Sequence, residues 1–252
     1  MMQPSFLPWM GLFEFIHKAD RFIILDDFQF SVQSWHQRNR LFLDKGSVGW
    51  YTVPVKKKGS FSSKINNTYI DERTNWRKKM WKRIVQNYSK ASFFSDLSTS
   101  IERWLLTPFE TLGEQNISFI KLVSEICGIQ TEFLYSSQHP SQLKRSERVL
   151  ELLRWSEANT YLVSSGSFAY MYEDRVFPLN DLNILFQDFK SKPYVQTGSP
   201  DRFYHHLSVL DALFNIGPDE TAWHIENGTE NWIPWKKMVE DIDLMKVNND
   251  WK

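Results

Sequence analysis

Between Thr131 and Gln187, short apolar runs alternate with longer stretches of helical spacing, and this rhythm restricts the fold more than any other feature of the chain. Thr131 to Tyr135 reads as a strand, Ser146 to Ala158 as a helix and Thr160 to Val163 as a strand. The stretch through Tyr170 and Tyr172 reads as a short helix, and Leu182 to Gln187 as a closing strand. Consecutive parallel strands need right-handed crossovers, so the pattern predicts an α/β fold: a mostly parallel sheet flanked by helices. Upstream, Leu12 to Lys18 has helical spacing, Phe22 to Leu25 has the length of a buried strand, and Trp50 to Val55 is a further β segment. Asn75 to Tyr88 carries Trp76, Met80, Ile84 and Tyr88 on one stripe. With helices expected at Ser95 to Leu106 and Pro108 to Ile126, it forms a helical insertion over about 73–127. His206 to Asn215 predicts another helix, ended by Gly217-Pro218, with a C-terminal helical extension over about 218–252. No linker or internal repeat divides the 252 residues, and a single domain is expected.

The apolar run from Phe22 ends abruptly in Asp26-Asp27-Phe28-Gln29, followed by Trp35-His36-Gln37-Arg38-Asn39-Arg40. Open α/β sheets place ligands outside the carboxyl ends of their strands, which makes this segment a site candidate. Adjacent carboxylates there can bind Mg²⁺, accept hydrogen bonds from sugar hydroxyls or act as a general base; a turn or helix cap accounts for them equally well. Arg38 and Arg40 offer guanidinium forks that match phosphate or carboxylate geometry, and Trp35 offers a stacking face; ion pairing at the surface is the plainer alternative. His36 lies among them as a possible acid-base group.

Composition limits the partners. Thirty basic residues balance thirty acidic ones, so no whole-chain field draws the protein to nucleic acid or to an anionic bilayer. No apolar run reaches the roughly 20 residues that span a membrane and no secretory leader opens the chain, so a cytoplasmic location is expected. The single cysteine, Cys127, ends an apolar helical stripe and reads as a packing thiol rather than a nucleophile. His205, His206 and His224 lack metal-ligand spacing, and no metal site is expected. The basic helix 77–83 and Lys56-Lys57-Lys58 read as solvated surface or as a docking face for an acidic carrier protein. Ser164-Ser165-Gly166-Ser167 follows a strand and opens a helix, where backbone N–H groups can hold an anion, although a simple cap is the milder account. Ser208 and Asp211 stand three apart on one helix face and can reach a site at the sheet edge, with an N-cap as the alternative for Ser208.

Several of these segments together resemble the WbqC-like family of bacterial proteins. The resemblance is carried by Gln3-Pro4-Ser5-Phe6-Leu7-Pro8-Trp9-Met10-Gly11, by Asp20 to Gln29, by Trp35 to Arg40 and by Thr52-Val53-Pro54-Val55. Trp76 with Tyr88, the serine-glycine loop beside Tyr170 and Tyr172, and Leu207-Ser208-Val209-Leu210-Asp211-Ala212-Leu213-Phe214-Asn215 extend it to about residue 217. Two positions depart from the family pattern. Members begin with a short apolar stretch before the Gln-Pro pair, and only two methionines precede it here, so the first strand is expected to be cut short or to start elsewhere. The asparagine usual before Arg-Asn-Arg is replaced by Gln37 or His36, depending on register.

The resemblance implies a role in surface polysaccharide or O-antigen biosynthesis. The activity that fits is acyl or aminoacyl transfer to an amine of a nucleotide-linked sugar, from a thioester donor on coenzyme A or an acidic acyl carrier protein. In that reading Asp26, Asp27 and His36 are catalytic. Gln3, Pro4, Trp9, Gln29, Trp35, Arg38, Asn39, Arg40, Ser164, Ser165, Tyr170, Ser208 and Asp211 bind substrate. The alternatives are a non-catalytic protein that binds a nucleotide sugar or carrier protein, and a metal-dependent enzyme that transfers or hydrolyses nucleotides. The Gln-Pro and Pro-x-x-Gly turn also resembles the phosphate-binding turn of nucleotidylyltransferase-like folds, without its paired histidines.

Overall fold

A computed structural model describes residues 1–43, 46–56 and 63–241. Its elements follow the expected order. After α1 (Met10–His17) come β1 (Arg21–Ile24), β2 (Arg38–Phe42), β3 (Val48–Thr52), α2 (Trp76–Tyr88), α3 (Phe94–Leu106) and α4 (Leu112–Ile126). Then follow β4 (Glu132–Tyr135), α5 (Arg145–Trp155), β5 (Thr160–Ser164), α6 (Phe168–Asp174), β6 (Asn183–Gln187), α7 (Val209–Glu226) and β7 (Ile233–Pro234).

The fold is mixed α/β, but the expected mostly parallel sheet is not what forms. Three small sheets take its place: β1 with β4 in parallel, β2 with β3 antiparallel, and β5 with β6 in parallel with β7 added antiparallel. The reason lies at the edge of β1. Met2 donates its N–H to the Ile23 carbonyl (3.1 Å), and its own carbonyl accepts from the Leu25 N–H (2.9 Å). This single bridge is the only pairing on that edge among the described residues. In a parallel ladder a residue's N–H and C=O face the same neighbour, so Arg21 and Ile23 turn their backbone groups away from β4. The Asn159 carbonyl accepts from the Asn183 N–H on the β6 side, which by the same alternation turns Thr160 and Leu162 away from β6. These two edges face each other across a cavity of about 320 Å³, with Met1 at one end.

The helices form where their apolar stripes allow. Thr111 accepts the Glu114 N–H while the Glu114 carboxylate accepts the Thr111 N–H, a capping box that starts α4 later than the expected Pro108. Helix α7 does not stop at Gly217-Pro218. Gly217 takes φ 77° and ψ 177°, which kinks the helix, and Pro218 opens a second segment that runs on to Glu226. Of the expected C-terminal extension, 235–241 is helical and β7 joins β6, while 242–252 lies outside the described residues, as do Lys57 and Lys58. Arg77 is not solvated surface: it is buried, donating to Glu72 (2.6 Å) and to the Leu105 carbonyl (2.8 Å).

One apolar core joins α1, the α2–α4 insertion and the first half of α7, and a second fills the space between β5, β6, α5 and α6. Glu14 lies fully buried between them. Its carboxylate accepts from Gln187 Nε2, from the Thr229 N–H and from Thr229 Oγ1, each at 2.6 Å. Burial raises its pKa despite these donors.

The gap beside β1 gives a prediction. Burial pushes the Met1 ammonium down to about 5, whereas the unfolded terminus titrates near ~8. Between these values the unfolded chain binds the extra proton, so this group's contribution to stability rises from pH 5 to 8. Two or three apolar residues fused ahead of Met1 should pair with the free edges, raise Tm by several degrees and flatten that slope. Thermal melts at pH 5.5 and 8 check this, and an unchanged Tm at both would show that the edges do not accept a strand.

Candidate functional site

Two loops make the site, and two buried carboxamides hold them. Asn116 of α4 donates to the carbonyls of Pro4 (3.0 Å) and His36 (2.8 Å), tying the segment before α1 to the segment before β2. Asn39 of β2 donates to the carbonyls of Phe6 (3.3 Å) and Leu7 (2.7 Å), and Leu7 is held at φ 45°. The Phe6 N–H adds a bond to the Trp35 carbonyl (2.9 Å). Between the loops opens a cavity of about 630 Å³, lined by Met2, Gln3, Ser5, Trp9, Leu12, Ser31, Ser34, Trp35, His36, Asn39 and His206.

Each wall has a local cause. Trp9 packs edge-on against Phe189 (5.0 Å) and His206 (5.1 Å). Any Cβ at position 11 would overlap the Trp9 ring, so Gly11 is what lets the indole lie over the start of α1. Trp35 is 49% exposed and sits 5.3 Å from Trp50, whose ring carries the Arg38 guanidinium at 4.2 Å. Arg38 and Arg40 alternate with Asn39 along β2 and so share the face opposite to it. Neither pairs with a carboxylate among the described residues, and the Nε of each is buried without a hydrogen-bond partner.

His36 is buried and neutral, its pKa pushed down to about 4 by desolvation. Nδ1 accepts the Ser31 N–H (3.3 Å), which assigns the proton to Nε2, and Nε2–H donates to Gln3 Oε1 at 2.9 Å. Both ring nitrogens are engaged. The effect is to fix the Gln3 carboxamide, leaving its NH₂ as a donor toward the cavity.

Asp26 and Asp27 face elsewhere. Asp26 accepts from Ser136 Oγ (3.2 Å), the Ser137 N–H (3.0 Å) and Ser137 Oγ (2.7 Å), so it caps the 3₁₀ turn after β4. Asp27 accepts from the same Ser136 hydroxyl and from Lys64 Nζ (3.4 Å). Asp27 and Gln29 line a second cavity of about 630 Å³ with Lys64, Lys144, Arg145 and Arg148. Three of its four cations are already matched: Arg145 by Glu173 and Asp174, Arg148 by Glu151 and Lys64 by Asp27. Tyr170 lies under Arg145 (5.8 Å), Ser165 Oγ donates to the Gln187 carbonyl (2.6 Å), and Ser164 shares a hydrogen bond with Ser167 (3.2 Å). None of these three lines the Trp9–Trp35 cavity.

Ser208 and Asp211 serve α7 itself. Ser208 Oγ accepts the Leu210 N–H as the N-cap (3.2 Å). Asp211 is fully buried and accepts from Tyr88 (2.9 Å), Tyr194 (2.7 Å), Gln196 (2.9 Å) and Asn215 (3.3 Å). Sequence reading thus brings Gln3, Trp9, Trp35, His36 and Asn39 to one cavity, with the Pro4 carbonyl anchoring its loop and Arg38 and Arg40 on the neighbouring strand. His206 lines the cavity too; in the sequence it stands as the start of a helix and as a histidine without metal-ligand spacing, and its place two residues before the α7 cap is the available signal. Sequence reading missed Asn116, which looks like an ordinary helix residue. Among the described residues no group of three His, Cys, Asp or Glu could hold a metal ion. Burial pushes the Cys127 thiol up to about 12, and among the described residues no helix is long and apolar enough to cross a membrane.

Two outcomes follow from this geometry. His36 should remain neutral in NMR titration down to about pH 4, with the proton on Nε2; protonation near pH 6 would contradict its burial. Burial raises Asp211 to about 6, so the folded state holds the extra proton between ~4 and 6 and this group's contribution falls as pH rises through that window. Asp211→Ala removes the acceptor of two tyrosine hydroxyls and one of two acceptors of each amide, and should cost about 3 kcal/mol or more in urea unfolding, with Asp211→Asn costing less.

A curated relative, the uncharacterized protein Rv1507c of Mycobacterium tuberculosis (strain ATCC 25618 / H37Rv), is 32% identical over 225 residues, covering 87% of this chain and 94% of the relative. No solved structure matches the chain significantly. The sequence matches the WbqC-like protein family over residues 3–223, and the chain therefore belongs to that family.

Proposed function

We propose that the Trp9–Trp35 cavity binds a nucleotide-linked sugar and that the protein transfers an acyl or aminoacyl group to an amine of that sugar in surface glycan biosynthesis. The observation that carries this reading is a cavity whose lining includes Gln3, Ser5, Ser31 and Ser34, next to a strand, β2, whose two guanidiniums lie outside that lining and have no carboxylate partner among the described residues. Sugars ask for the first and phosphates for the second. Trp35 and Trp50 supply faces on which a base or a sugar ring can stack. The donor in this reading is a thioester of coenzyme A or of an acyl carrier protein, since acyl transfer to an amine then needs a base and an oxyanion donor rather than a protein nucleophile. In this reading the Gln3 NH₂ takes the second role.

The geometry changes one part of the reading made from sequence. The Asp26 and Asp27 oxygens hold the turn after β4 and line the other cavity, so the proposal assigns them to positioning that turn. Their engagement also favours, as the second reading, a protein that binds the nucleotide sugar without turning it over.

A thermal-shift panel of uridine, thymidine and guanosine diphosphate sugars tests the binding claim. Each charge-assisted phosphate contact is worth roughly 1.5–3 kcal/mol, so Arg38→Gln and Arg40→Gln should each weaken binding by about ten-fold or more. Mass spectrometry with thioester donors then separates the readings: an acylated sugar supports the transferase, and tight binding without product supports the binder. Equal binding by both variants would remove the guanidiniums from the site.

A further inference from the structure

We propose that His206 is the residue that takes the proton from the substrate amine in this cavity, and that Arg40 beside it couples the basicity of the imidazole to phosphate binding. The proposal rests on the nucleotide-sugar reading above. Among the residues that line the cavity, only His36 and His206 carry an imidazole, and both nitrogens of His36 are engaged. His206 is exposed, its ring stands edge-on to Trp9 at 5.1 Å, and no described residue forms an ion pair with it.

The backbone at His206 is the second argument. It takes φ 57°, in the left-handed region that a non-glycine residue enters only at a cost in backbone strain. The flanking chain enforces this. The Ser208 N–H donates to the Arg40 carbonyl (3.1 Å) and the Val209 N–H to the Pro8 carbonyl (2.8 Å). On the other side the Tyr204 N–H donates to Gln196 Oε1 (2.8 Å). Strain of this kind persists only where surrounding bonds over-determine it, and here two of the three run to the segments that carry Trp9 and Arg40. They aim the ring into the cavity.

The electrostatics suit a base. Partial burial lowers the His206 pKa, and the neighbouring His205 on its own segment and Arg40 on β2 lower it further, so the imidazole is neutral at pH 7. In the step itself the sugar amine attacks the thioester carbonyl carbon, the N–C bond forms and the amine proton passes to His206. The C–S bond then breaks, the sulfur leaves with its electron pair and takes the proton back from the imidazolium. The products are the amide and a thiol. A phosphate seated on Arg40 neutralises the charge that depresses the imidazole, so His206 becomes the stronger base only when the nucleotide is bound.

Histidine-detected NMR titration, with His206→Gln to assign the resonance, tests both parts. In the ligand-free protein the ring should titrate below the usual 6.5. Arg40→Gln should raise that midpoint, and saturating uridine diphosphate or pyrophosphate should raise it in the wild type by about half a pH unit or more while leaving the variant unmoved. In turnover with a thioester donor, His206→Gln should lower kcat by about 10²–10⁴-fold with little change in KM and abolish the acidic limb of the pH profile. A midpoint that neither Arg40→Gln nor a bound anion moves overturns the coupling, and turnover within two-fold of wild type overturns the base. If Arg40→Gln moves the ligand-free midpoint but neither probe binds, it is the nucleotide reading that fails, and the base assignment falls with it.

Discussion

The site depends on two buried side-chain amides. Asn116 reaches out of α4 to hold the carbonyls of Pro4 and His36, and Asn39 reaches back from β2 to hold those of Phe6 and Leu7. Four backbone acceptors in irregular segments would otherwise be buried without partners, at about 1–3 kcal/mol each. Neither loop has a ladder of its own at these points. The carboxamides replace one, and by doing so they set the distance between the walls of the cavity.

The acidic side chains divide from the basic ones along the same plan. Glu14, Asp26 and Asp211 are each buried, and each gathers three or more donors from segments distant in sequence. They organise the interior. Arg38 and Arg40 remain on the opposite side of the hairpin from Asn39, without counter-charges. Two guanidiniums without counter-charges among the described residues thus stand together in a protein of zero formal net charge.

Most of this order was legible in the chain. The α2–α4 stripes, the β1 run and the β4–α5–β5–α6–β6 rhythm appear close to where periodicity placed them, since an apolar stripe has few ways to be buried. The β2 hairpin was not legible: Arg38-Asn39-Arg40 reads as a polar cluster, and its strand character comes from alternation between an inward amide and outward guanidiniums. Gly217-Pro218 carries the signature of a helix end, yet a proline also starts a helix well, and here it does both. The site suffered the same ambiguity. Asp26 and Asp27 were visible as carboxylates at a strand end, but whether they face a ligand or cap a turn is decided by Ser136 and Ser137, more than a hundred residues away.

The missing rungs between β1 and β5 reach beyond the sheet. Two hydrogen-bonded bodies meet there through Met1 and Met2, side chains and loops, so local opening along this seam breaks fewer backbone bonds than any other division of the parallel strands. Met2 is both the bridge at that seam and a lining residue of the Trp9–Trp35 cavity. The seam and the cavity wall thus share one residue, and a shift of Met2 at the first is felt at the second.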